Sequence, residues 1–81
     1  MNEFSFELEY GGTTFIFYVE SLYNEILNEV YYSVYMMGSP PFVMAWDLDR
    51  GRLIRQGAAP YLVYELEDAI SRKIEEHYLE V

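Results

Sequence analysis

Phe4, Phe6, Leu8 and Tyr10 alternate with Glu3, Ser5, Glu7 and Glu9. A period of two places the sets on opposite sides of an extended chain, so the segment reads as a strand with one buried and one wet face. Gly11-Gly12 follows at once, and glycine takes the positive φ values of a two-residue hairpin turn without steric cost. The next run, Thr13-Thr14-Phe15-Ile16-Phe17-Tyr18-Val19, favours a strand. With the two glycines as the loop, Leu8 faces Phe15, Phe6 faces Phe17 and Phe4 faces Val19. On the other side Glu7 faces Ile16, Ser5 faces Tyr18 and Glu3 faces Glu20.

From Ser21 the spacing changes. Leu22, Tyr23, Ile26, Leu27, Val30, Tyr31 and Val34 recur at three and four residues, which predicts an amphipathic helix with Ser21 as N-cap and Gly38 as its stop. Residues 30–37 contain β-branched and aromatic types that would also suit a strand. A second hairpin is expected from residues 42–48 and 52–55 around Asp49-Arg50-Gly51. Phe42, Met44, Trp46 and Leu48 share one of its faces, and Val43, Ala45 and Asp47 the other. A two-residue loop would force Arg50 to positive φ, a three-residue loop would put Gly51 there, and the choice flips the second strand. Pro60 suits the first turn of a final helix with an apolar stripe of Val63, Leu66, Ile70, Ile74 and Tyr78. Asp68, Arg72 and Glu76 are spaced to pair on its wet side. The expected fold is α+β: one compact domain over residues 1–81, ordered ββαββα, with a four-stranded antiparallel sheet and both helices on one face.

An 81-residue chain that is 52% hydrophobic and 19% aromatic is too apolar to be a disordered acidic tail, and too short for a second core. The absence of cysteine excludes disulfides, thiolate zinc sites and cysteine nucleophiles. Met1-Asn2-Glu3 carries no basic residue and the longest wholly apolar runs are short, so neither a signal peptide nor a membrane span is expected and the cytoplasm is the expected location, that of a bacterial host if the chain is phage-encoded.

Charge is distributed unevenly. Residues 1–49 hold eight acidic residues and no basic one, and all five basic residues fall within 50–81. The net charge of −9 is the wrong sign for gripping a phosphate backbone, so nucleic acid is not an expected direct ligand. Glu7 and Glu9 project from one side of the first strand about 7 Å apart, near the spacing of phosphates along a nucleic-acid strand. That spacing admits phosphate mimicry as well as a merely solvated acidic surface. On the open side of the sheet Ile16 and Tyr18 form an apolar centre with Val43 and Ala45, rimmed by Glu3, Glu7, Glu9 and Asp47. An apolar centre with a charged rim is the pattern of a protein interface, for a foreign partner or for a homodimer through this face. Glu25 and Glu29 on the expected helix, Asp49 in the second turn, and Tyr32 among the surplus tyrosines complete the candidate partner-binding set.

Asp47-Leu48-Asp49-Arg50-Gly51 is not a calcium loop, because Gly51 stands where a third oxygen ligand belongs and Arg50 and Arg52 would repel a cation. His77, the sole histidine, lacks partners for a zinc site. No nucleophile elbow and no phosphate-cradling glycine loop occurs. No cofactor, metal or catalytic residue is therefore expected, and the chain reads as a non-enzymatic protein.

In size, acidity, aromatic richness and lack of catalytic motifs, with Gly11-Gly12, the strand at residues 15–19 and Glu25/Glu29 among its features, the chain resembles small acidic phage proteins of the anti-CRISPR type. The resemblance is of character and aligns no residues. It implies an inhibitor that binds a Cas effector and occludes its basic nucleic-acid site, as a DNA mimic does. Bacteriocin immunity proteins and antitoxins, which cover a nuclease's basic site, share this character. A homo-oligomeric structural or adaptor subunit is the alternative class.

Overall fold

The computed structural model describes residues 3–57 and 62–79. Five strands, β1 (Glu3–Tyr10), β2 (Thr13–Asn24), β3 (Glu29–Met36), β4 (Phe42–Asp47) and β5 (Arg52–Arg55), are followed by one helix, α1 (Tyr64–Ile74), which ends in a π-helical turn over Glu75–Leu79. The strands form a single antiparallel meander in the order β1-β2-β3-β4-β5. The first hairpin has the expected register, from Glu3↔Glu20 to Tyr10↔Thr13. Gly11 and Gly12 both have positive φ, 61° and 78°, as a type I′ turn requires.

The expected ββαββα order with four strands and two helices is overturned between residues 21 and 37. Instead of starting a helix at Ser21, β2 runs on to Asn24 and pairs with β3 from Ser21↔Tyr32 to Asn24↔Glu29. Local bonds favour the turn between them: the Asn24 side-chain oxygen accepts the backbone N–H groups of Ile26 and Leu27 at 3.0 and 3.1 Å. Asn28 adopts a φ of 55°, a left-handed conformation that asparagine tolerates, and accepts a hydrogen bond from the Tyr23 hydroxyl. Val30, Tyr31, Tyr32, Val34 and Tyr35 then follow their β preference. The helix-like spacing over 22–34 is coincidental, being divided between two strands and a turn.

The second hairpin also departs from expectation. Its pairing closes at Asp47↔Arg52, so residues 48–51 make a four-residue loop and Leu48 leaves β4. The Gly51 N–H donates to the Asp47 carbonyl at 2.8 Å, and a carboxylate oxygen of Asp47 accepts the N–H groups of Asp49 and Arg50. Gly51 takes the positive φ, 65°, leaving Arg50 unstrained.

The core lies between one sheet face and α1. Phe17, Val34, Met44, Ile70 and Ile74 are fully buried, and Phe4, Phe6, Leu8, Phe15, Val63 and Tyr78 pack around them. The final helical stripe is thus as expected, but the helix starts at Tyr64 after an extended Val63, later than the expected first turn at Pro60, which itself lies outside the described residues. Of the expected pairs on the wet side, Arg72–Asp68 forms at 2.9 Å.

Ser71, beside that stripe, is a fully buried polar residue, and the edge of the sheet explains it. The outward N–H of Leu53 on β5 donates to the Ser71 hydroxyl at 3.0 Å, and that of Arg55 donates to the Glu67 carboxylate at 3.2 Å. Ser71 in turn donates to Glu75 at 2.6 Å. Helix side chains thereby satisfy an edge that would otherwise offer itself to another strand.

Tyr32 and Tyr78 join the helix to the sheet, with ring centroids 5.1 Å apart. Burial pushes the Tyr32 phenol above its ordinary value, and Tyr78 pushes it further. Burial raises Tyr78 too, against a hydrogen bond with Ser21 that lowers it and with Glu3 and Glu20 adding to the rise. A phenol raised in the folded state stabilises in full below the unfolded value and loses that contribution as pH climbs through the folded one. Stability is therefore expected to fall above about pH 10, more steeply in the native chain than in Tyr32→Phe. Denaturant midpoints measured against pH check this, and parallel curves would refute it.

Candidate functional site

Strand parity decides the character of the uncovered sheet face. Glu3, Glu7 and Glu9 of β1, Glu20 of β2, Glu29 of β3 and Asp47 of β4 all project from the face opposite α1. No acidic residue of the five strands projects from the helix-covered face. Glu3 and Glu20 stand directly opposite each other, an arrangement that costs stability on its own account.

Between these carboxylates lies an apolar centre. Ile16, Tyr18 and Tyr35 are 45%, 44% and 42% exposed, and the paired Tyr18 and Tyr35 rings have centroids 6.2 Å apart. Leu22, Tyr31, Ala45 and Ile54 form a half-buried row across four neighbouring strands. Glu3, Ser5, Tyr18, Glu20, Ser33 and Tyr35 line an open groove of about 420 Å³.

Cations are drawn to the other side. Arg52 pairs with Glu67 at 2.9 Å and lies 4.9 Å from the Tyr64 ring centroid, Arg55 approaches Glu67 at 3.7 Å, and Arg72 pairs with Asp68. These ion pairs neutralise helix acids and leave the carboxylates of the open face without a salt bridge among the described residues. Unneutralised carboxylates flanking tyrosine rings suit lysine and arginine: the carboxylates accept charge-assisted hydrogen bonds, and the rings accept cations over their faces.

Most of the residues singled out from the sequence come together here. Glu3, Glu7, Glu9, Ile16, Tyr18 and Asp47 occupy the open face. Glu29 joins them through β3 rather than a helix, and Glu25 sits in the turn at residues 25–28, so their expected four-residue helical spacing does not exist. Asp49 lies in the exposed turn after β4. Tyr32 is 4% exposed and belongs to the core, because its parity in β3 is that of Val34. Sequence reasoning placed Glu20 opposite Glu3 but left it out of the candidate set, and it missed Leu22, Tyr31 and Tyr35 as parts of this face. The alternation Tyr18-Glu20-Leu22, continuing past Val19, was the signal for Leu22.

A second uncovered apolar surface lies at the ends of two hairpins. Tyr23, Leu27, Val30, Trp46 and Leu48 are exposed there, and Ile26 is 94% exposed. The expected helix would have buried Tyr23, Ile26, Leu27 and Val30 in its stripe. His77 is exposed but stacks on Phe4 with centroids 3.9 Å apart. Among the described residues no cluster of three metal-ligating side chains occurs and no helix is long and apolar enough to cross a membrane. Comparison with protein families, curated proteins and solved structures finds no match to this chain.

Proposed function

We propose that this protein is a non-enzymatic acidic inhibitor that lays its open sheet face on the basic nucleic-acid-binding site of an effector protein. The observation that carries the reading is the segregation of charge: every strand carboxylate projects from the open face, around Ile16, Tyr18 and Tyr35. A merely solubilising surface has no need of a tyrosine-lined centre, and self-association through this face would bring glutamates against glutamates. A site built for DNA or RNA supplies the complementary lysine and arginine side chains. The mechanism is steric and electrostatic occlusion, and the Cas effectors of CRISPR systems are the first partners to try.

The test adds the protein to guide-loaded Cas effectors and basic nucleases holding labelled nucleic acid and follows displacement by fluorescence anisotropy. Displacement is expected to weaken as salt rises. Tyr18→Lys, which puts a cation at the apolar centre, should keep the fold and weaken displacement at least about tenfold, the loss that corresponds to an interface residue worth about 1.4 kcal/mol or more. Unchanged displacement by the folded variant would reject the open-face mechanism.

A further inference from the structure

The two edges of the sheet are treated differently. On β5 the outward N–H groups of Leu53 and Arg55 are taken by Ser71 and Glu67. On β1 the hydrogen-bonding parity is fixed from both ends of the sheet. The two-residue glycine turn makes Tyr10 and Thr13 a hydrogen-bonded pair, so the backbone groups of Phe4, Phe6, Leu8 and Tyr10 turn inward to β2. The Gln56 N–H donating to the Val43 carbonyl at 2.8 Å sets the same parity when carried back through β4, β3 and β2. The N–H and C=O groups of Glu3, Ser5, Glu7 and Glu9 therefore turn outward, and none is bonded among the described residues.

This free edge is two-sided. Glu3, Glu7 and Glu9 stand along the open face, while half-buried Phe4, Phe6 and Leu8 line the other. A strand added beside β1 would place alternate residues next to each row. We propose that the outer edge of β1 takes up, as a sixth strand, an extended segment of a partner protein in which basic and apolar residues alternate. The basic residues meet the glutamates, and the apolar residues extend the Phe4-Phe6-Leu8 row. A second copy does not fit, because pairing two β1 edges would set glutamate against glutamate. The inference goes beyond the open-face reading, since pairing at this edge uses the backbone and stands whether or not the open face binds an effector.

The probe is the capped peptide Lys-Val-Lys-Val-Lys-Val-Lys, with a blocked-order peptide of the same composition as control, titrated by NMR with no effector present. The alternating peptide is expected to slow amide exchange at Ser5, Glu7 and Glu9 and to bind more tightly than the control. Glu7→Pro removes an outward N–H without touching the β1–β2 ladder, whereas Glu7→Gln keeps the N–H and removes only the charge. Glu7→Pro should weaken peptide binding at least about tenfold and Glu7→Gln about threefold or less, the former losing backbone pairing and the latter part of an exposed charge interaction. Equal weakening by the two variants, equal binding of the two peptides, or no slowing of exchange in the native chain at millimolar peptide would overturn the proposal. The exchange result does not depend on either variant folding.

Discussion

Phe17→Ala is expected to destabilise the protein by about 3–5 kcal/mol, the range for truncating a buried phenylalanine. Phe17 is fully buried, with Phe6 at 5.4 Å and Phe15 at 6.4 Å between ring centroids. A domain of this length has only about 4–12 kcal/mol in total, so the substitution removes about a quarter of that stability or more. Tyr18→Ala, one residue along the same strand, should cost about 1 kcal/mol or less, because the Tyr18 side chain projects from the uncovered face. Denaturant unfolding of the two variants measures the difference between the two faces of β2. Similar losses for both would mean that the assignment of core and open face is wrong.

The second large effect lies at the β5 edge. Glu67 accepts from the Arg52 guanidinium at 2.9 Å and from the Arg55 backbone N–H at 3.2 Å, in a setting where the Arg52 and Glu67 side chains are 12% and 15% exposed. Glu67→Ala removes both interactions, leaving a largely desolvated guanidinium without its carboxylate and an edge N–H without an acceptor. The expected cost is about 2–4 kcal/mol, below the figure for a fully buried pair because some solvent reaches the site. For a domain of this size that lowers the thermal midpoint by roughly 10–30 °C. Asp68→Ala, which breaks the solvent-exposed pair with Arg72, should cost less than about 1 kcal/mol. Thermal unfolding of both variants reads the contrast, and a harmless Glu67→Ala would mean that the helix does not secure the edge.

The first hairpin was legible to the residue because three local signals agree there: strict alternation, a turn of two glycines and a β-favouring partner strand. The final helix was legible for a like reason, since Leu66, Ile70 and Ile74 fall on one stripe with no competing pattern. The stretch from Ser21 to Met37 misled because apolar residues on both faces of a strand pair, joined by an apolar turn, mimic a helical period. Ile26 and Leu27, both exposed in that turn, supplied the members that completed the false stripe. The better guides were Asn24 and Asn28, residues suited to turn bonding and to left-handed φ, together with the β-branched and aromatic content of β3. Once that stretch is read as strand, Leu22, Tyr31 and Tyr35 move onto the open face and Tyr32 moves into the core. The charge segregation was legible only in part: Glu3, Glu7, Glu9 and Asp47 were expected on the open face and Glu20 opposite Glu3, whereas Glu29 and the apolar residues of β3 were assigned to a helix.

Side-chain oxidation footprinting of the protein, free and bound to an effector from which it displaces nucleic acid, tests the central claim most directly. Ile16, Tyr18 and Tyr35 should react in the free protein and be protected in the complex, while Tyr64, Trp46 and Leu48, exposed elsewhere, keep their reactivity. Protection of Tyr23, Leu27 and Trp46 at the hairpin ends, with Tyr18 and Tyr35 still reactive, would contradict the claim that the acidic open face is the surface that binds.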